Sequence, residues 1–256
     1  MTEPTFEDRR LSFGAQAATY AEHRPGYPSE AIRWVFDGAT GGVHRVADVA
    51  AGTGALTRVL VDLGVEVTAY EPDPGMLEEL GRRLPDVPRQ VSHAESLPLT
   101  DASVDAVVVA QAWHWFDKAA AARELIRVVR PGGVIGLLWN VRDDYVPWMA
   151  VMSDIVDGED SMRASRSDVL SEIAVVLPAV IRRDFLHTVS MTPEEIVGLA
   201  STFSYVRLRP NSTEVYAALR ELLATHPDTA SRERIDVPYV CATYRIACPE
   251  PRQRTS

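Results

Sequence analysis

The residues with the most chemistry in reach of one another begin at Val46-Ala47-Asp48-Val49-Ala50-Ala51-Gly52-Thr53-Gly54. An apolar run that breaks into a turn with two glycines reads as a buried strand. Its exit loop lets backbone approach a ligand at the carboxyl edge, where open α/β sheets bind cofactors. A tight structural turn would explain the loop equally well on its own. Glu71 adds to it, because this acid closes the next strand-like run, Val65 to Tyr70. A carboxylate there can accept both hydroxyls of an adenosine ribose in charge-assisted hydrogen bonds. A dinucleotide fingerprint would also need a third glycine for helix packing, and Thr57 stands in that place.

Three later segments carry further chemistry. His93-Ala94-Glu95-Ser96-Leu97-Pro98-Leu99 follows a third strand-like run, and Asp101-Ala102-Ser103-Val104-Asp105 leads into a fourth. Beyond the fourth stands Gln111-Ala112-Trp113-His114-Trp115-Phe116-Asp117. His114 sits between two tryptophans at the same expected sheet edge and titrates near neutrality in its ordinary state. His23, His44, His187 and His226 are scattered without metal-ligand spacing. No Gly-x-Ser-x-Gly elbow is present, so metal-assisted or serine-based hydrolysis is not expected.

The elements that must position these residues alternate. Strands are expected at Val43–Ala50, Val65–Tyr70, Gln90–His93, Val104–Ala110 and Val134–Trp139, the fourth almost wholly apolar, as a strand covered on both faces should be. Between them, helices are expected from a Ser29 cap through Phe36, through Thr57, Leu60 and Leu63 to a stop at Gly64, over Asp73–Leu84 and over Lys118–Val129. This regularity implies right-handed βαβ units and a parallel sheet with helices on both faces. After Asn140 the reading is mostly helical to Val180, followed by a strand at Phe185–Met191. Thr192-Pro193-Glu194-Glu195 then opens a helix with a capping box. A helix over Val215–Leu223, a strand over Tyr239–Ile246 and a frayed tail from Pro249 to Ser256 complete the chain.

Composition limits the partners. With 36 acidic against 26 basic residues, the net charge of −10 opposes phosphate neutralisation, so nucleic acid is not an expected partner. Apolar stretches fall far short of the ~20 residues that span a bilayer, and no apolar leader precedes Arg10, which gives a cytoplasmic expectation. Cys241 and Cys248 form no Cys-x-x-Cys pair and read as buried reduced thiols.

Taken together and in this order, the Asp48 to Gly54 loop, Glu71 and the His93 to Asp105 segment resemble the class I S-adenosylmethionine-dependent methyltransferases. Arg24-Pro25-Gly26-Tyr27-Pro28 and Ala112 to Asp117 look like the small-molecule branch that includes the trans-aconitate methyltransferases. The resemblance covers about Phe13 to Asn140. It implies a doubly wound, seven-stranded, mostly parallel sheet with an antiparallel last strand, built as a single domain over residues 1–248. Within that domain, residues 1–28 would form a lid and 141–185 a helical cap over the acceptor. S-adenosyl-L-methionine is the implied cofactor, with a small-molecule methyl acceptor as partner, no membrane, and a monomeric or homodimeric state.

Carried over by position, Asp48, Ala50, Gly52 and Gly54 would surround the methionine part of the cofactor, Glu71 would take the ribose hydroxyls, and Met76 would pack on adenine. Ala94 and Glu95 would lie at the adenine edge, Gln111 near the amino group or sulfonium, and Tyr20 and Arg24 in the lid, with Arg24 toward the cofactor carboxylate. Trp113, Trp115 and Trp148 are the expected acceptor walls. His114 would be either a base for a hydroxyl acceptor or a positioning contact for a carboxylate, which needs no base. Two departures stand out: Ala50 replaces the first glycine of the usual loop, and His93 occupies the place of an aspartate that meets the adenine amino group. Two rival readings remain, a nicotinamide-dependent oxidoreductase and a protein that binds S-adenosylmethionine without transferring its methyl.

Overall fold

The structure is a computed structural model that describes residues 24–158, 169–177, 179–207 and 209–249. Seven strands form one sheet: β1 (Arg45–Val49), β2 (Glu66–Glu71), β3 (Arg89–Val91), β4 (Val104–Ala110), β5 (Val129–Arg142), β6 (Val180–Met191) and β7 (Ile235–Ala247). Their order is β3-β2-β1-β4-β5-β7-β6, with only β7 antiparallel to its neighbours. The expected architecture is therefore present. From β1 the chain winds outward through β2 and β3, then returns to place β4 on the other side of β1. That reversal opens a crevice between the carboxyl ends of β1 and β4, where doubly wound sheets bind ligands.

Helices α1 (Ser29–Phe36), α2 (Ala55–Asp62), α3 (Pro74–Arg83) and α4 (Lys118–Val128) cover the sheet. One core joins α1, α2 and α3 to the face carrying Val46, Val67, Ala106 and Val108. Another joins α4 to the face carrying Val107, Val109, Ile135 and Leu137. Strand β4 is buried along almost its whole length, the reason its sequence shows no polar alternation. Gly64 ends α2 with a φ of +77°, as the sequence indicates. Ser29, by contrast, is the first helical residue of α1 rather than its cap. Pro28 holds the N-cap position and offers no side-chain bond.

The cap differs from the sequence reading. A third core combines α5 (Pro147–Asp157), α7 (Pro193–Ser201), α8 (Ser204–Arg207) and α9 (Ser212–Thr225) with the ends of β6 and β7. Residues 141–185 therefore do not make the cap alone. Most of its helices come from 193–225, while α6 (Val169–Val176) packs under α4 through Ile173. Strand β6 also starts five residues before Phe185. It lies at the sheet edge with Arg182, Arg183 and Asp184 all exposed, so its first half lacks the alternation that marks a half-buried strand. The capping box of α7 is present, Glu195 N–H donating to Thr192 Oγ1 at 3.2 Å and Thr192 N–H to Glu195 Oε2 at 2.6 Å.

Most of the expected lid, including Tyr20, and all of the tail except Pro249 lie outside the described residues. Among the described residues, no helix is long and apolar enough to cross a membrane. Cys241 and Cys248 are both buried and free, and burial pushes each thiol up to about 11.

Candidate active site

The crevice between β1 and β4 is a partly open cleft. Asp48, Ala50, Ala51, Gly52 and Thr53 form one wall, and Ala110, Gln111 and Asn140 the other. Arg24, Pro25 and Tyr27 complete the lining. Two non-glycine residues at its floor, Ala50 and Gln111, have left-handed φ values of 56° and 58°. Such backbone strain concentrates at ligand sites because surrounding structure must hold it. Gln111 is held on both ends: its N–H donates to Leu138 O at 2.9 Å, and its Nε2 to Asn140 O at 3.0 Å.

The two loop glycines do different jobs. Gly52 has φ +56°, and an added Cβ would meet only Met76 Sδ at 3.8 Å, so its bareness serves the cleft. At Gly54, with φ +88°, a Cβ would strike Leu80 Cγ at 3.0 Å and Leu84 Cδ1 at 3.2 Å. Gly54 lets α2 close onto α3 and does not itself line the cleft.

Glu71 organises the adjoining edge. Its Oε2 accepts from Gly52 N–H at 2.9 Å and its Oε1 from Asp73 N–H at 3.0 Å. Asp73 in turn caps α3 by accepting from Gly75 and Met76 N–H. One buried carboxylate thus ties the glycine loop to the start of the helix that carries Met76.

Asp48 is fully buried, and burial pushes its carboxyl up to about 7, opposed by the 2.6 Å bond donated by Thr57 Oγ1 and reinforced by the charge of Glu71. Its Oδ1 has no hydrogen-bond partner among the described residues. Thr57, which breaks the dinucleotide fingerprint, is therefore the group that holds this acid in place.

The remaining expected residues lie elsewhere. Ala94 is buried, and Glu95 accepts from Asp117 N–H at 2.9 Å, fixing the short 3₁₀ turn Trp113–Trp115. Trp113 is a core residue, 1% exposed and edge-on to Phe116, and Trp148 is buried at 3% in the cap core. Neither is an acceptor wall in this structure, because large aromatic area at helix and turn positions is taken up by the cores. Trp115 is half-buried and leans on His114 at 4.8 Å. His114 does not line the cleft. Crowding by protein atoms, with the charge of Lys118 added, holds its imidazole below the usual range, to about 4. The His114 side chain is itself exposed to solvent.

Asn140 is the cleft residue that sequence reading left without a role. Its only signal was position, the first polar residue after the apolar Val134–Trp139 run. Tyr27 also lines the cleft, and its motif carried a resemblance but no assigned contact.

Fold and site together define an α/β enzyme that binds an adenosine-containing cofactor at its topological switch point. A family model described as a methyltransferase domain matches residues 47–137. An uncharacterized methyltransferase of Mycobacterium tuberculosis is 40% identical over 240 residues, 93% of this chain and 96% of the relative. Among solved structures, a methyltransferase of Anaeromyxobacter dehalogenans, described as type II, superposes with a TM-score of 0.67 at 24% identity, covering 89% of this chain and 99% of its own. A phosphoethanolamine N-methyltransferase of Haemonchus contortus, solved with S-adenosylhomocysteine, gives 0.55 at 14% identity over 98% of this chain and 61% of its own. The chain belongs to the class I S-adenosylmethionine-dependent methyltransferases. Its residues fit that cofactor: a buried carboxylate oxygen without a partner stands at the cleft wall for a cationic group, and Gly52 leaves room beside Met76.

Proposed function

We propose that this enzyme methylates a small organic molecule at oxygen, either a carboxylate or a hydroxyl. The observation that carries the reading is the lining of the cleft: Arg24, Pro25 and Tyr27 join the Asp48–Thr53 loop and Gln111 around one pocket of the size a small acceptor needs rather than a polymer groove. The net charge of −10 also disfavours a nucleic-acid acceptor. The segments Arg24 to Pro28 and Ala112 to Asp117 support the branch that includes the trans-aconitate methyltransferases.

In this reading the cofactor supplies an electrophilic methyl on a cationic sulfur. Asp48, with Ala50, Gly52 and Gln111, holds the methionine part. Glu71 accepts from the ribose hydroxyls while keeping Gly52 in place, and Met76 covers adenine from α3. Ala94 and Glu95 support the adenine edge from the second layer, and Arg24 balances a carboxylate in the cleft. The acceleration comes from alignment of acceptor oxygen, methyl and sulfur in a water-poor cleft. His114, exposed outside the cleft, takes no proton from the acceptor in this reading.

A labelled-methyl screen over carboxylic acids, phenols, alcohols and amines tests the proposal. Label is expected in a methyl ester or ether. Label found only in amines, or only in nucleic acid, would overturn it.

A further inference from the structure

Asn140 joins three parts of the cleft through one side chain and its own carbonyl. Its Nδ2 donates to Gly26 O at 2.9 Å, holding the segment whose Arg24, Pro25 and Tyr27 line the cleft. Its Oδ1 stands 2.9 Å from His187 Nε2, and its main-chain O accepts from Gln111 Nε2 at 3.0 Å. Because Nδ2 is the donor toward Gly26, Oδ1 must be the acceptor from His187. His187 therefore carries its proton on Nε2. The ring is fixed from behind by stacking on Tyr239, centroids 5.6 Å apart and planes at 27°, and Tyr239 is itself only 4% exposed.

Position explains why this matters. Strand β6 pairs His187 with Tyr239 of β7, and β7 pairs Arg142 of β5 with the same tyrosine, so the ring is seated on the sheet two residues from Asn140. An amide side chain on a strand has several rotamers of similar energy. The His187 N–H selects the one that aims Nδ2 at Gly26. Without that donor, nothing else described in the structure holds Oδ1.

We infer that His187 is a positioning residue for the cofactor cleft: it orients Asn140 so that the amide latches the Arg24–Tyr27 segment against the cleft it lines and slows cofactor escape. The inference rests on this cleft being the S-adenosylmethionine site.

The test uses S-adenosylhomocysteine binding, measured as equilibrium affinity by calorimetry and as dissociation rate by stopped flow, in the full-length protein. His187→Phe keeps a ring on Tyr239 but loses the N–H. Asn140→Asp keeps an acceptor for His187 but cannot donate to Gly26. Each is expected to speed dissociation about three- to tenfold, the loss that one hydrogen bond brings. Because both break the same latch, the double variant should lose no more than the worse single one. His187→Gln, which can still donate, should restore most of the wild-type rate. A folded His187→Phe with unchanged affinity and dissociation rate overturns the inference, as do losses that simply multiply in the double variant. Failure of the wild-type protein to bind S-adenosylhomocysteine at all would instead count against the cleft assignment.

Discussion

The cofactor edge and the cap are built by different means. At the β1–β2 edge, acids hold loop backbone and one another's neighbours: Glu71 holds Gly52 and Asp73, Thr57 holds Asp48, and Asp73 caps its own helix. The cap is held by a buried network of side chains centred on one arginine. Arg142, at the end of β5, donates to Asp157 Oδ1 at 2.6 Å and to Ser153 Oγ at 2.7 Å, and its Nη1 reaches Tyr205 Oη at 3.3 Å. Its guanidinium also lies 5.5 Å over the Phe203 ring, while Arg24 lies 5.0 Å over that same ring. The glycine-loop edge thus rests on loop geometry that a short motif can encode. The cap rests on a buried polar network that no motif announces.

The largest effect should come from breaking that network. Arg142 and Asp157 are nearly inaccessible, with side chains 6% and 2% exposed, so Asp157→Leu leaves a guanidinium buried without its carboxylate. Removing one partner of such a pair costs about 3–5 kcal/mol, whereas replacing both with apolar groups is often far milder. Denaturant melts should show Asp157→Leu losing several times more than the Arg142→Met/Asp157→Leu double variant. Equal losses would mean the pair is not what joins cap to sheet.

This contrast also explains what the sequence made legible. Strand-helix alternation, the Gly64 stop, the α7 capping box and the Glu71 edge were all readable because each is a local pattern. Trp113 and Trp148 were misplaced because an aromatic residue reads alike whether it fills a core or lines a pocket. The cap's true extent escaped because α7–α9 bury their faces on one another and on strand ends distant in sequence. Asn140 and His187 meet only through the register of β5, β7 and β6.

Next in size is Glu71→Ala, which should weaken S-adenosylhomocysteine binding at least tenfold. Hydrogen bonds to a charged group contribute about 1.5–3 kcal/mol each, and the same change frees Gly52. Calorimetry on the folded variant checks this, and an unchanged affinity removes Glu71 from the site.

Asp48 sharpens the comparison through pH. Its native pKa lies above the unfolded value, so the folded protein binds the extra proton and stability falls as pH rises from about 4 toward about 7. A cationic group on the cofactor favours the carboxylate form, so S-adenosylhomocysteine affinity should rise with pH up to about 7 and then level. Asp48→Asn should flatten both profiles. A pH-independent wild-type affinity between pH 5 and 7.5 would contradict the role given to Asp48.

The smallest effect is expected at His114. With its pKa lowered, the ring is neutral throughout the physiological range, so turnover should show no histidine-dependent rise between pH 6 and 8. His114→Gln should keep most of the turnover. A rise through neutrality that the Gln variant abolishes would make His114 a base after all.

The central claim, that the β1–β4 cleft is a S-adenosylmethionine site and not a nicotinamide site, is tested most directly by calorimetric titration of the purified protein with S-adenosylhomocysteine and, separately, with NAD. Saturable one-to-one binding of S-adenosylhomocysteine with no heat from NAD is the predicted result. Saturable NAD binding with no response to S-adenosylhomocysteine would contradict it.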